Sequence, residues 1–159
     1  MTKMLSIPLA LLAWLATSQA QATSVASCSA TSVPISYGAY DPTSSAALTP
    51  TGSISVTCSL ISGVSLLVAY TISLSAGSSG SFAARKMTGT TTPMSYNLYL
   101  DGGWLTVWGD GTGGSQTKSD GYLLGVNVTT TYTVYSKLPA KQLVAAGSYA
   151  DNVMITISY

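Results

Sequence analysis

Apolar side chains recur at every second position in short runs along this chain, and that spacing dictates strands. In residues 53–60, Ile54, Val56, Cys58 and Leu60 alternate with Ser53, Ser55, Thr57 and Ser59. A period of two sends alternate side chains to opposite faces, so one face turns inward and the other meets water. The alternation returns in residues 65–75 through Leu66, Val68, Tyr70, Ile72 and Leu74. It returns again in residues 149–159 through Val153, Ile155, Ile157 and Tyr159. Gly, Pro, Asn, Asp and Ser punctuate these runs. Short alternating runs between turn residues predict an all-β sandwich.

The rest of the chain fills in around these runs. Residues 32–37 read as the first strand, with Val33, Ile35 and Tyr37 on one face. Asp41-Pro42 then makes a turn, because proline presets a turn corner. Residues 94–100 read as a strand facing inward through Tyr96, Leu98 and Leu100, and residues 104–108 as a further short one. Arg85-Lys86-Met87 falls in a loop, as a solvated basic pair. The Gly-, Ser- and Asp-rich residues 109–121 read as loop. Residues 127–135 form the next strand, 137–141 a connector, and 142–146 have the makings of one helical turn. The final strand ends with its alternation at full amplitude, which predicts an edge without a neighbour.

The N-terminus carries Lys3, an apolar run from Leu5 to about Ala16, and a small-residue site ending Ala20-Gln21-Ala22. That is the pattern of a secretory signal peptide, with cleavage between Ala22 and Thr23. It divides the chain into a leader, residues 1–22, and one domain, residues 23–159. The apolar run is too short to span a bilayer, which needs about 20 residues. No later stretch is long enough to do so. Removing Lys3 leaves Arg85, Lys86, Lys118, Lys137 and Lys141 against Asp41, Asp101, Asp110, Asp120 and Asp151, a formal balance of zero.

Charged residues are 7% of the chain, and there is no histidine. No basic stripe exists to meet nucleic acid. Histidine-based acid–base chemistry is excluded, and the usual zinc and copper ligand sets are missing. No cofactor or metal is expected. Asp101, Asp110 and Asp120 each precede glycine, and turn chemistry explains them better than catalysis or calcium binding does. Trp104 and Trp108 invite a sugar-stacking reading. The simpler expectation packs Trp108 in the sandwich and uses Trp104 to cap a hairpin. Cys28 and Cys58 in an exported chain point to a disulfide, with a pair of buried free thiols as the alternative.

Several segments stand in a definite order, beginning with Cys28, Ile35-Ser36-Tyr37-Gly38-Ala39-Tyr40-Asp41-Pro42 and Gly52 through Cys58. Leu74-Ser75-Ala76-Gly77-Ser78, Arg85-Lys86-Met87, Tyr96-Asn97-Leu98-Tyr99, Val107-Trp108-Gly109-Asp110-Gly111 and Pro139-Ala140 follow, and then Ala146-Gly147-Ser148-Tyr149-Ala150-Asp151 before the closing strand. In this order and spacing they resemble the spore coat protein U family, which includes pilins of the archaic chaperone–usher pathway. The resemblance implies an incomplete immunoglobulin-like β-sandwich lacking its final strand. A periplasmic chaperone would fill the gap first, and a neighbouring pilin subunit would fill it after passage through an outer-membrane usher. The groove is expected between Val33, Ile35 and Tyr37 on one side and Val153, Ile155, Ile157 and Tyr159 on the other. The resemblance also gives Tyr159 and its carboxylate to the chaperone's basic residues. Residues 23–27 are too polar and too few to donate a strand, which suits a terminal or tip position, although tip adhesins of the family usually have two domains; an unspecified subunit position stays open beside it, in a fibre serving attachment and biofilm formation. A freestanding secreted or coat protein that never polymerises is the alternative.

Overall fold

The computed structural model describes residues 26–60, 66–89, 91–124 and 127–159. The expected leader and its Ala22–Thr23 cleavage site lie outside the described residues. Among the described residues there are eight strands: β1 (Ala26–Val33), β2 (Thr51–Leu60), β3 (Leu66–Leu74), β4 (Arg85–Met87), β5 (Met94–Tyr99), β6 (Lys118–Leu124), β7 (Val128–Lys137) and β8 (Ile155–Ser158). They form a five-stranded sheet in the order β1-β2-β7-β5-β4 and a three-stranded sheet in the order β6-β3-β8. Every strand pairing is antiparallel. The expected all-β sandwich is what forms.

The alternation decides what lies between the sheets. Ile54 and Val56 of β2 meet Val68, Tyr70, Ile72 and Leu74 of β3, all buried. Met94, Tyr96 and Leu98 of β5 and Val134 of β7 complete this layer. Each fully buried aliphatic side chain of this size contributes about 1.5–3 kcal/mol. A polar chain also ties the sheets together. The Tyr70 and Tyr132 hydroxyls are hydrogen-bonded across the sandwich, and Tyr132 donates to Asp120 Oδ2 at 2.6 Å. Asp120 lies directly opposite Tyr70 in the β3–β6 register. Cys28 and Cys58 face each other across β1 and β2 and are joined as a disulfide, so the free-thiol alternative does not hold.

Several local expectations are corrected. The first strand is β1, ending at Val33, and not residues 32–37. The Cys28–Cys58 pairing sets its register, and Pro34 has no N–H to continue the ladder. The end of the expected loop 109–121 is instead the start of β6. Asp120-Gly121 makes no turn there, because Asp120 is held in the strand by Tyr132 and by its own neighbour's amide, Gly121 N–H at 2.8 Å. Residues 104–108 are a turn joined to its surroundings by isolated bridges, Tyr99 to Val107 and Trp108 to Gln116. Residues 142–146 are irregular and not helical. The last strand shortens to Ile155–Ser158, because residues 149–154 form no continuous ladder: they are held by separate backbone bonds, Ala150 with Thr88 and Met154 with Ser75, and by the Asp151 side chain.

Arg85 is the largest correction. It belongs to a strand, β4, and is fully buried. Its Nε and Nη2 donate to the Ser75 carbonyl at 3.1 and 2.8 Å. Nη2 also donates to the Trp108 carbonyl, and Nη1 to Asn97 Oδ1, each at 2.8 Å. A guanidinium presents five donors in a rigid fork, which suits two loop carbonyls and one β5 side-chain oxygen gathered in one place. Lys86, its neighbour, is exposed.

Candidate functional site

One side of the sandwich is not closed. A cleft of about 1030 Å³ opens there, floored by inward side chains of both sheets, including Ile54, Leu74, Leu98 and Val134. One wall is the irregular segment that follows β1, through Pro34, Ile35, Tyr37 and Tyr40. The other runs from Val144 to Val153 and on to Ile155 of β8. Five of the seven groove residues expected from sequence line it: Val33, Ile35, Tyr37, Val153 and Ile155. Ile157 does not line it. It packs on the core opposite Ile72, its cross-strand partner. Tyr159 lies outside the cleft and is 57% exposed.

The backbone at this edge has a definite polarity. β8 pairs with β3 alone among the described residues. Ser75 N–H donates to the Met154 carbonyl at 2.9 Å, while Leu74 N–H turns the other way, to Gly109. Backbone groups alternate in direction along an antiparallel strand. With Ser75 opposite Met154, the amides of Thr156 and Ser158 face β3, and those of Ile155 and Ile157 face the open edge. At Ile155 an apolar side chain in the cleft is therefore combined with an outward backbone donor and acceptor. A strand laid along β8 needs both.

Polar groups frame the cleft, and of these only Tyr37 was expected there from sequence. Asp151 Oδ2 accepts from the Tyr96 hydroxyl at 2.7 Å, and Oδ1 accepts from Ser78 N–H at 2.9 Å and Ser78 Oγ at 2.7 Å. Burial pushes the Asp151 carboxyl up, but these bonds outweigh it and hold the group below the usual carboxylate range. Burial and the neighbouring Asp151 together push the Tyr96 hydroxyl far above its ordinary value. Gly77 has φ 67 and sits so close to the Asp151 carboxylate that a Cβ there would collide with it. At the other end, the Tyr40 hydroxyl donates to the Pro139 carbonyl at 3.1 Å and accepts from Gln142 N–H at 2.6 Å. Tyr37 packs edge-on against Tyr96, and burial pushes its hydroxyl up to about 12. The signal for Asp151 was its place in the Ala146–Asp151 motif, but nothing in the sequence linked it to Tyr96 or Ser78.

The other candidate residues fall elsewhere. Asp101 accepts from the N–H groups of Gly103, Leu105 and Thr106, and Asp110 from Thr112, so both build turns. No group of three metal-ligating side chains occurs among the described residues. Trp108 is buried, and its indole N–H donates to the Ile72 carbonyl at 3.1 Å. Trp104 sits at the turn with φ 55, the Lys137 ammonium 5.0 Å from its ring centre. No helix among the described residues is long and apolar enough to cross a membrane.

Comparison with known proteins gives three findings. Residues 14–156 match the family described as Spore Coat Protein U domain. The chain is 33% identical over 104 residues to Protein U of Myxococcus xanthus, a match covering 64% of this chain and 55% of that one. The chain thus spans about half the length of that relative. The fold is similar, at a TM-score of 0.57 and 17% identity, to a chain in the crystal structure of the CsuC–CsuE chaperone–tip adhesion subunit pre-assembly complex, from archaic chaperone–usher Csu pili of Acinetobacter baumannii. That likeness covers 86% of this chain and 40% of the solved one, and at this identity it is a likeness of fold.

Proposed function

The chain belongs to the Spore Coat Protein U domain family, and from that premise we propose that it is a structural subunit completed by a strand from another protein. The observation that carries this reading is the open cleft beside β8, where Ile155 faces the cavity while its amide faces the vacant edge. Strand addition uses those two elements: backbone bonds supply affinity, and alternate side chains fill pockets. An edge of this kind left bare is an aggregation hazard, so a partner is needed from the moment of folding.

In this proposal a periplasmic chaperone supplies the first strand, an outer-membrane usher passes the subunit outward, and a neighbouring subunit supplies the lasting strand in a surface fibre. The role is structural, in attachment and biofilm formation, and not catalytic. A terminal or tip position fits the polar residues Thr23, Ser24 and Ser27 and the tether that the Cys28 disulfide places on that end. Export depends on the leader read in residues 1–22. The coat in the family's description favours a second reading, a freestanding coat protein that does not polymerise.

The test is periplasmic expression with and without a co-expressed pilus chaperone, followed by size-exclusion chromatography. Recovery only as a one-to-one complex is the expected result. A stable monomer made without the chaperone overturns the strand-acceptor reading and favours the freestanding one.

A further inference from the structure

The two walls of the cleft are built differently. The wall after β1 is wedged in place. A Cβ added at Gly52 would lie 2.7 Å from both the Ile35 side chain and the Val33 carbonyl, so the segment presses directly on β2. The facing wall, residues 143–148, is suspended between two anchors. At one end is Gln142, whose Oε1 accepts from Ser95 N–H at 2.7 Å and whose Nε2 donates to the Ser95 carbonyl at 2.8 Å. This side-chain amide bonds the edge of β5 as a peptide group would. At the other end Ala150 exchanges two backbone bonds with Thr88, at 2.8 and 3.1 Å, and Asp151 is fixed by Tyr96 and Ser78.

Between the anchors the segment is bare. Residues 143–148 make no backbone–backbone hydrogen bond among the described residues. The Ala145 carbonyl accepts the Tyr149 hydroxyl at 2.7 Å, a tie to the residue beside the Ala150 anchor. Leu143 is 89% exposed, while Val144 packs on the core at the cleft wall. A segment with few buried contacts and unpaired amides, held at both ends, opens at low free-energy cost. Its backbone groups also gain partners if a strand is laid beside them.

We propose that residues 143–148 form a hinged strap, with Gln142 and Ala150–Asp151 as its posts. The strap moves aside to admit a strand into the cleft and closes over it. This rests on the strand-acceptor reading. It adds that the wall carrying Val144 moves and the wall carrying Ile35 does not. The chain then grips its partner from two directions, along β8 and from above.

Hydrogen exchange resolved by residue tests it, comparing the free full chain with the one-to-one complex from the expression trial. In the free chain the amides of residues 143–148 should exchange fast, while those of Gln142 and Ala150 are protected. In the complex the amides of residues 143–148 should slow at least about tenfold, together with those of Ile155 and Ile157. If Ile155 and Ile157 gain protection and residues 143–148 do not, the strap is wrong and the strand-acceptor reading stands. If no complex forms, that reading fails and the strap falls with it. A Gln142→Ala variant removes one post and leaves β8 intact. It should speed dissociation of the complex about fivefold, and an unchanged off-rate would exclude Gln142 as a post.

Discussion

The Tyr96 hydroxyl donates to Asp151 Oδ2 at 2.7 Å, joining the middle of β5 to the segment that leads into β8. One carboxylate thereby fixes the wall of the cleft, the Ser78 turn and the inner face of the larger sheet. Its pKa in the folded chain lies below the ordinary value. A group depressed in this way contributes stability above its unfolded pKa, and the contribution is lost as pH falls through the folded pKa. The expected outcome is a fall in urea midpoint as pH drops below about 4, and a shallower fall in Asp151→Asn. Equal acid slopes in the two proteins would show that Asp151 carries none of the effect. Tyr96 acts with the opposite sign. Its raised pKa preserves stability up to about pH 10, and the loss comes on the alkaline side.

Arg85 makes a second prediction. It is fully buried, and it bonds two carbonyls and an amide oxygen without a carboxylate partner. Removing it leaves the Ser75 and Trp108 carbonyls unsatisfied in the core. Arg85→Met should cost about 3 kcal/mol in urea unfolding, from lost charge-assisted bonds and stranded acceptors. Arg85→Lys keeps the charge but not the fork, and should recover only part of this. A loss below about 0.5 kcal/mol for Arg85→Met would mean that water replaces the guanidinium at little cost.

Asp151 and Arg85 mark where the sequence stops being legible. Period-two runs reveal β2 and β3 because each buries one face along its whole length. Position Asp120-Gly121 misleads, since a turn dipeptide and a strand carrying a hydrogen-bonded aspartate look alike until Tyr132 arrives from another sheet. Arg85 misleads for the same reason. A basic pair reads as solvated unless Ser75, Asn97 and Trp108 are known to converge, and these are spread over 33 positions of the chain and gathered only by the fold. The cleft walls were half legible. Ile35 and Ile155 carry an alternation signal, whereas Gln142, Tyr40 and Asp151 act through single long-range bonds that leave no periodic trace.

The disulfide makes a third prediction. Cys28 and Cys58 are 30 positions apart and staple edge strand β1 to β2. Closing a loop of that length stabilises by about 3–4 kcal/mol in the chain-entropy model. Cys28→Ala with Cys58→Ala should lower the unfolding free energy by that order. Because β1 also leads into the wedged wall at Ile35, exchange protection at the Ala26 end of β1 should fall first. Uniform loss of protection through both sheets would show that the staple supports the whole sandwich and not its edge.

The sharpest prediction separates side chain from backbone at the open edge. Ile155 lines the cleft and its amide faces outward, while Thr156 is exposed and its amide is committed to β3. Ile155→Asp puts a charge into the apolar cleft, where an unpaired carboxylate is strongly disfavoured. Thr156→Asp puts the same charge in water and leaves the ladder intact. Ile155→Asp should abolish recovery of the chaperone complex, and Thr156→Asp should leave it nearly unchanged. Thermal melts of both variants separate a failure to bind from a failure to fold. Ile157→Asp belongs with the folding controls, since its side chain lies on the core opposite Ile72 and not in the cleft. If Ile155→Asp folds and still binds as the parent does, the incoming strand does not run along β8, and the other edge, at β1, becomes the place to look.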